Sequence, residues 1–480
     1  MKKRLLALTL LLAMLVSVIA CTKTEENSND TQQTATVDTS DGYDYGELDC
    51  QGEDFTFLQC DEGRWNMKTA LAPEKIVGEE VSDAVYARNT KINELYNVNI
   101  KCENVDIYET GNYIRIQTTS GDTTADVAFV IGESVPTLIT EGCLSDIAAI
   151  PNIQIYEPWW NQKIREDSQF LGSSSLYFAQ TDISLTAFEL TWCVAVNLDM
   201  VSELQLENPY DLVKNGQWTM EKMFQMAKVG MVPNADGTYD YNEATDCVFG
   251  IATYNNFASA AINGAGCFLT EKDALGLPTF AGEGERFLDV IEQWSEVFFT
   301  PGMAVDANDD GFHYEEIFGD SRSLFVGTEI KGTTLYRTKG LHYGILPVPK
   351  YNAEQDGYNS TVNYIAPVLV IPKTNAEAEK TGRILDTMAY LSYKDVLPVY
   401  YDSSLSYKSL NDPESIEMLN IIRDSRVFET SLLFGWTVDY YLDIRNVFIG
   451  KTSAMETSGI IASHRSSIKK AIDGYFAEVQ

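Results

Sequence analysis

Between residues 55 and 131 the chain alternates short apolar runs with helical periodicity, and this alternation restricts the fold more than any other feature. Phe55-Thr56-Phe57-Leu58 reads as a first strand and as the start of structured sequence. Residues 79–97 place Val81, Val85, Ile92, Leu95 and Tyr96 at the spacing of helical turns, so an amphipathic helix is expected there. Val98-Asn99-Ile100-Lys101-Cys102 alternates like a strand, residues 113–120 read as a short helix, and Gly121-Asp122 stops it. Asp126-Val127-Ala128-Phe129-Val130-Ile131 is a continuous apolar run, the pattern of a buried strand. Strands that alternate with helices predict a parallel-type sheet with both faces covered, and the fold class is α/β.

Beyond about residue 183 the texture turns to longer helical segments. Thr219 is a helix N-cap with Glu221 in the first turn of a helix reaching Val229. Further helices are expected over 284–298, from after Asn375 to Tyr393, and over 415–479 with a break at Phe434-Gly435-Trp436. Strand patterns recur at 343–346 and 366–372. About 425 structured residues are too many for one hydrophobic core, which predicts two lobes. No repeat at a fixed period is visible.

The first 20 residues read as an export signal. Lys2, Lys3 and Arg4 precede an apolar stretch from Leu5 to Val16, and Val18-Ile19-Ala20 leads into Cys21, the pattern of a bacterial lipoprotein cleavage site. A membrane-spanning helix needs about 20 apolar residues, and this stretch stops at Thr22-Lys23-Thr24-Glu25-Glu26. Expected is a mature chain lipidated at Cys21, anchored to the outer face of a membrane without spanning it. Residues 21–50, mostly small and polar, are expected to form a disordered tether.

The formal charge of −35 becomes more negative once the basic leader is removed. Such a polyanion repels nucleic acid and anionic headgroups and disfavours an anionic substrate. With Cys21 lipidated, seven cysteines remain, an odd number that cannot pair completely within one chain. Buried free thiols are expected, with a Cys247–Cys267 or Cys50–Cys60 bridge left open. No Cys/His spacing suits a metal, and no cofactor is implied.

Several segments in order resemble the extracellular solute-binding proteins of ATP-driven importers, in the branch typified by sugar binders. Ala87 to Ile100 resembles the family's first helix running into its second strand. Thr119 to Val130, followed by Glu141-Gly142-Cys143-Leu144, is similar to a Ser-Gly-Asp…Pro-Asp segment and the Gly-Leu that follows it. Asn208 to Met223, Phe318 to Gly327, Gly344 to Tyr351 and Leu369 to Asn375 continue the set, with Ser323-Leu324 where Ala-Met is usual. The resemblance covers nearly the whole mature chain. It implies a two-lobe periplasmic-binding-protein-like fold, hinge-linked, with ligand in the cleft between lobes. Transferring the family's crossing pattern gives an N-terminal lobe from 51–185 and 341–394, and a C-terminal lobe from 186–340 and 395–480. The hinges then fall at 180–188, 337–343 and 392–398. The implied function is capture of a neutral carbohydrate, expected to be an oligosaccharide, for delivery to the transmembrane subunits of an ABC permease, with the chain a monomer on the extracytoplasmic face.

A sugar offers apolar ring faces and hydroxyl edges, so its site needs aromatic rings beside carboxylates, amides and hydroxyls. Such sites lie where loops leave strand ends. The candidates are Arg64 and Trp65 after the first strand, Glu133 and Ser134 after residues 126–131, and Tyr254 and Asn255 after Phe249-Gly250-Ile251-Ala252-Thr253. Trp436, in a break between helices, resembles by position a sugar-stacking aromatic of maltodextrin binders, and Asp182 reads equally as a cleft or a hinge residue. Trp159-Trp160 after Pro158 reads as packing. Asp306-Ala307-Asn308-Asp309-Asp310-Gly311 matches the first half of a calcium loop, but Ile317 stands where the closing glutamate belongs, so no metal is expected.

With three histidines, no HExxH, no GxSxG and no Walker loop, the sequence points to a binder and away from an enzyme. A glycosidase needs only two carboxylates and stays as a rival. A non-sugar solute, or a role in presenting ligand to a membrane sensor, is the other alternative.

Overall fold

The computed structural model describes residues 39–60, 71–73, 78–169, 175–241, 245–307, 313–405 and 413–479. The leader, Cys21, Arg64, Trp65 and most of the acidic loop after Ala307 lie outside the described residues. From Asp44 onward the chain forms one compact unit. Residues 44–50, expected as the end of the tether, belong to that unit. Tyr45 is buried, its ring packs edge-on against Tyr390, and its carbonyl accepts a hydrogen bond from Tyr96 at 2.7 Å. One aromatic in a polar stretch is enough to dock it, because a buried ring removes much apolar area from water.

The N-terminal lobe grows from β1 (Glu53–Cys60), β2 (Val98–Val105) and β3 (Val127–Ile131). β1 lies between β2 and β3 and pairs parallel with both. The helix Glu80–Tyr96 links β1 to β2 and ends on Asn97 in the left-handed region, and Thr110–Ser120 ends on Gly121 in the same way. The sequence spacing predicts both helices, the second only from residue 113, and the stop at Gly121, while the left-handed end on Asn97 carries no signal in that pattern.

The second lobe is built on β4 (Trp192–Asn197), β5 (Phe249–Thr253), the hairpin β6 (Thr270–Lys272) and β7 (Pro278–Phe280), β8 (Ala304–Asp306), β9 (Ser323–Glu329) and β10 (Tyr343–Leu346). The hairpin forms a sheet of its own, and the main sheet runs β10-β4-β9-β5-β8. Here β5 is parallel to β8 and β9, while β4 is antiparallel to β9 and β10. The helical texture of this region hid the sheet, whose strands are short and buried on both faces.

The chain then adds β11 (Ser360–Val362), β12 (Pro367–Val370) and β13 (Arg426–Phe428). β12 pairs antiparallel with β3 and completes the first sheet in the order β12-β3-β1-β2. β11 and β13 pair parallel where the chain passes between lobes, and Thr191 bridges to Val362 beside them. The hinge expected at 337–343, and the return to the first lobe at 341, are corrected by this pairing. The helix Thr333–Lys339 leads straight into β10, where Tyr343 stands opposite Asn197, so the return comes only with 360–366. Two short apolar strands look alike in sequence, and only their partners tell which sheet they join.

The first crossing runs from Ala179, bridged to Leu369 of β12, to Trp192 at the start of β4. The last begins where the helix Ala378–Leu391 continues through a π-helical turn, Ser392–Val396, into the helix Leu397–Leu405. Cys50, Cys102, Cys143, Cys193, Cys247 and Cys267 are free thiols, which removes both bridges left open above. Among the described residues no helix is long and apolar enough to cross a membrane.

Candidate functional site

β3 of the first sheet and β9 of the second both end beside the crossover segment that carries Asn363 and Tyr364. In the first lobe β3 ends in a 3-10 turn, Gly132–Ser134. A Cβ on Gly132 would stand 2.5 Å from the Tyr364 carbonyl oxygen, so only glycine lets this strand end approach the crossover. A Cβ on Gly111, on the neighbouring helix, would likewise collide with the Ser134 side chain. Gly132→Ala is therefore expected to cost about 1–3 kcal/mol, read as a lower denaturation midpoint at unchanged slope.

From the second lobe, β9 ends at Glu329, which is 4% exposed. Its carboxylate accepts from the Asn363 amide at 2.8 Å and pairs with Lys331 at 3.0 Å. β5 leads into Tyr254, whose ring stacks on Tyr314 at 4.8 Å and leans on Trp192 at 5.4 Å. Burial, followed by the neighbouring Glu329, holds the Tyr254 phenol far above its ordinary pKa. Glu315 accepts hydrogen bonds from Thr328 and Tyr314. Burial raises its carboxyl above the usual range, and Glu329 adds to the rise.

The helix Val438–Phe448 is tied to the loop after β5. Tyr441 donates to the Asn256 carbonyl at 3.1 Å and Arg445 donates from Nη1 to the Asn256 side chain at 2.8 Å. The Nε–H of Arg445 is buried with no acceptor among the described residues. The two lobes meet electrostatically at Tyr364. Its phenol is raised by burial first and then by Glu133, with Arg445 pulling the other way and Tyr108 adding to the rise. Glu133 and Tyr108 are exposed, the ring of Tyr108 to 45%.

The sequence candidates fall into three groups. Glu133, Ser134, Tyr254 and Asn255 stand at these strand ends. Arg64 and Trp65 lie outside the described residues. The other two serve the interior. Asp182 is 2% exposed, and its carboxylate is taken by Arg423 at 2.9 Å and Arg426 at 3.3 Å. Burial opposes its ionisation, but the two guanidiniums outweigh burial and hold the carboxyl below the usual carboxylate range. Trp436 is 6% exposed. It packs on Phe434 at 4.8 Å, Tyr475 at 5.6 Å and Phe476 at 6.0 Å, so protein rings surround it. Trp159 and Trp160 both donate their indole N–H to Asp386, a packing role as read from the sequence.

Sequence reasoning missed Glu329, Lys331, Tyr364, Tyr441 and Arg445. For the last two a signal existed: they sit four residues apart, on one helix face, just after the break at 434–436. Among the described residues no group of three or more His, Cys, Asp or Glu could hold a metal. His342 and His464 sit on surface pairs with Asp199 and Asp443. The arrangement offers ring faces, amides, carboxylates and an unmatched N–H between two lobes.

No family model and no curated protein matches the chain by sequence. Solved structures do match by fold. The GacH receptor of Streptomyces glaucescens, solved unliganded and with acarbose, aligns at TM-score 0.52 and 13% identity over 90% of this chain and 99% of that one. An ABC substrate-binding protein from Listeria monocytogenes in complex with cycloalternan aligns at TM-score 0.54 and 12% identity, over 88% and 98%. The cyclic α-maltosyl-1,6-maltose binding protein from Arthrobacter globiformis aligns at TM-score 0.56 and 12% identity, over 90% and 99%. These likenesses, with the sheet topology above, establish that the chain has the α/β two-lobe fold of the periplasmic binding proteins.

Proposed function

We propose that this chain is a substrate-binding lipoprotein of an ABC importer, anchored through Cys21 on the extracytoplasmic face. In this reading it captures a neutral oligosaccharide and delivers it to the transmembrane permease. The observation that carries the proposal is the meeting of stacked Tyr254 and Tyr314 with the unmatched N–H of Arg445 at the strand ends where the lobes converge. Rings suit the apolar faces of a sugar, and buried polar groups without partners suit its hydroxyls. The fold neighbours named above bind acarbose, cycloalternan and a cyclic maltosyl-maltose.

Glu133, Ser134, Tyr254 and Asn255 contact the ligand in this account, joined by Tyr364, Glu329 and Arg445, and by Arg64 and Trp65, which follow β1 in the sequence. Nothing is done chemically to the sugar. Ligand binds better to closed lobes and shifts the population toward closure, which is what a permease reads. Thermal unfolding of the mature chain against a panel of mono- and oligosaccharides tests this. A ligand at a hundredfold excess over its Kd adds about 2.7 kcal/mol to the native state, visible as a raised Tm. A response to peptides with none to any sugar would leave the fold standing and defeat the carbohydrate assignment.

A further inference from the structure

The crossover holds a cavity of about 300 Å3, whose walls include Trp160, Asn161, Lys163, Tyr393, Arg423 and Arg426. None of these residues belongs to the strand-end site. Three distant segments build it: the start of the helix Gln162–Ser168, the turn Ser392–Val396, and the end of the helix Pro413–Asp424 running into β13.

The cavity lining is rich in donors, with Asp424 its one carboxylate. Asp182 is shared between two arginines, and Asp424, at 71% exposure, pairs with Arg423. The Pro158 carbonyl accepts from Arg423 as well. Arg426 is 3% exposed; it donates through Nε to the Arg423 carbonyl and through Nη2 to Asp182. Its Nη1 has no acceptor among the described residues. Lys163 donates to the Asn359 side chain and keeps two further N–H groups. Asn161 uses its oxygen to cap Ile164 at 2.9 Å, leaving its amide nitrogen without a partner among the described residues.

The lining itself carries three cations, Lys163, Arg423 and Arg426, against one carboxylate, Asp424, although the whole chain is strongly acidic. Beside the turn Ser392–Val396, Arg88, 2% exposed, donates among the described residues only to neutral groups: the Ile183 and Leu71 carbonyls, Ser392 and Asn89. In the wider surroundings Arg88 and the three lining cations are balanced by Asp182, Asp424, and Glu166 and Asp167 of the Lys163 helix, so the surplus is confined to the lining. Burial pushes the Lys163 ammonium and the Arg426 guanidinium down from their ordinary values, a cost that an arriving anion relieves. The acidic surface repels anions at long range, but at physiological salt that field decays over about 8 Å.

We infer that this cavity binds a small oxyanion, held by Arg426 Nη1, the Lys163 ammonium and the Asn161 amide. The guanidinium edge suits the oxygens of a phosphate or a carboxylate equally. The test is thermal unfolding and titration calorimetry of the mature chain with inorganic phosphate and, separately, succinate, against sodium chloride at equal ionic strength. A saturable rise in Tm beyond that with chloride is expected for at least one probe. Phosphate alone would assign a phosphate site, and succinate alone a carboxylate site. Asn161→Asp keeps the cap on Ile164 while placing a carboxylate in the cavity, and should weaken the anion by about tenfold or more. Lys163→Gln should weaken it in the same direction. No response beyond chloride with either probe, or an unchanged response in both variants, would overturn the assignment.

Discussion

Asp182→Ala is expected to lower folding stability by about 3–5 kcal/mol, because it strands two guanidiniums in the interior. Arg423 is stacked on Tyr393 at 4.6 Å and Arg426 lies over Phe188 at 5.6 Å, so neither can swing out to water without unpacking the crossover. Urea denaturation of wild type and variant reads the loss as a shift in midpoint at equal slope. Replacing all three charges with leucine and methionine should recover much of it, since apolar substitutes for a buried ionic cluster are often neutral. The pH dependence has a definite sign. The folded carboxyl of Asp182 titrates below the unfolded one, so its contribution is complete above about pH 4 and is lost as pH falls through the lower folded value. Wild type and Asp182→Ala should converge in stability on acidification. A loss that stays constant from pH 7 to pH 3 would contradict the ion-pair account.

Arg445→Met is expected to weaken sugar binding by about tenfold to a hundredfold, the range for losing a hydrogen bond from a charged donor. Methionine keeps much of the aliphatic stem, so the Tm without ligand should move little. The hydrogen bond to Asn256 goes with the guanidinium, and Asn256→Ala separates that indirect loss from a direct one. If Asn256→Ala weakens binding as much as Arg445→Met does, Arg445 acts by positioning the loop after β5. If it weakens binding less, the Nε–H itself meets the sugar. Unchanged affinity in Arg445→Met would remove Arg445 from the site.

The elements open to reading, in both lobes, are those whose signals are local. Gly121 ends its helix through its own backbone conformation, and Thr219 caps its helix by accepting from Lys222 three residues on. The loops after β3 and β5 carried Glu133 and Tyr254 for the same reason: a strand followed by a polar turn can be seen within ten residues. What stayed hidden depends on pairing across long stretches of chain. Asp182 meets Arg423 and Arg426 from more than two hundred residues away. β10 could have joined either sheet until its partner β4 was known. Trp436 shows the converse, since its position by resemblance suggested a stacking platform. The rings of Tyr475 and Phe476 that cover it come from the last helix, which the pattern around residue 436 does not contain.

The central claim is that the strand-end site captures one oligosaccharide per chain, and titration calorimetry of the mature chain against that panel tests it most directly. The account predicts a saturable heat at one sugar per chain for one oligosaccharide series, weakened in Arg445→Met and untouched by Asn161→Asp. No heat with any sugar, or a sugar heat that Arg445→Met and Tyr254→Ala both leave unchanged, would contradict it.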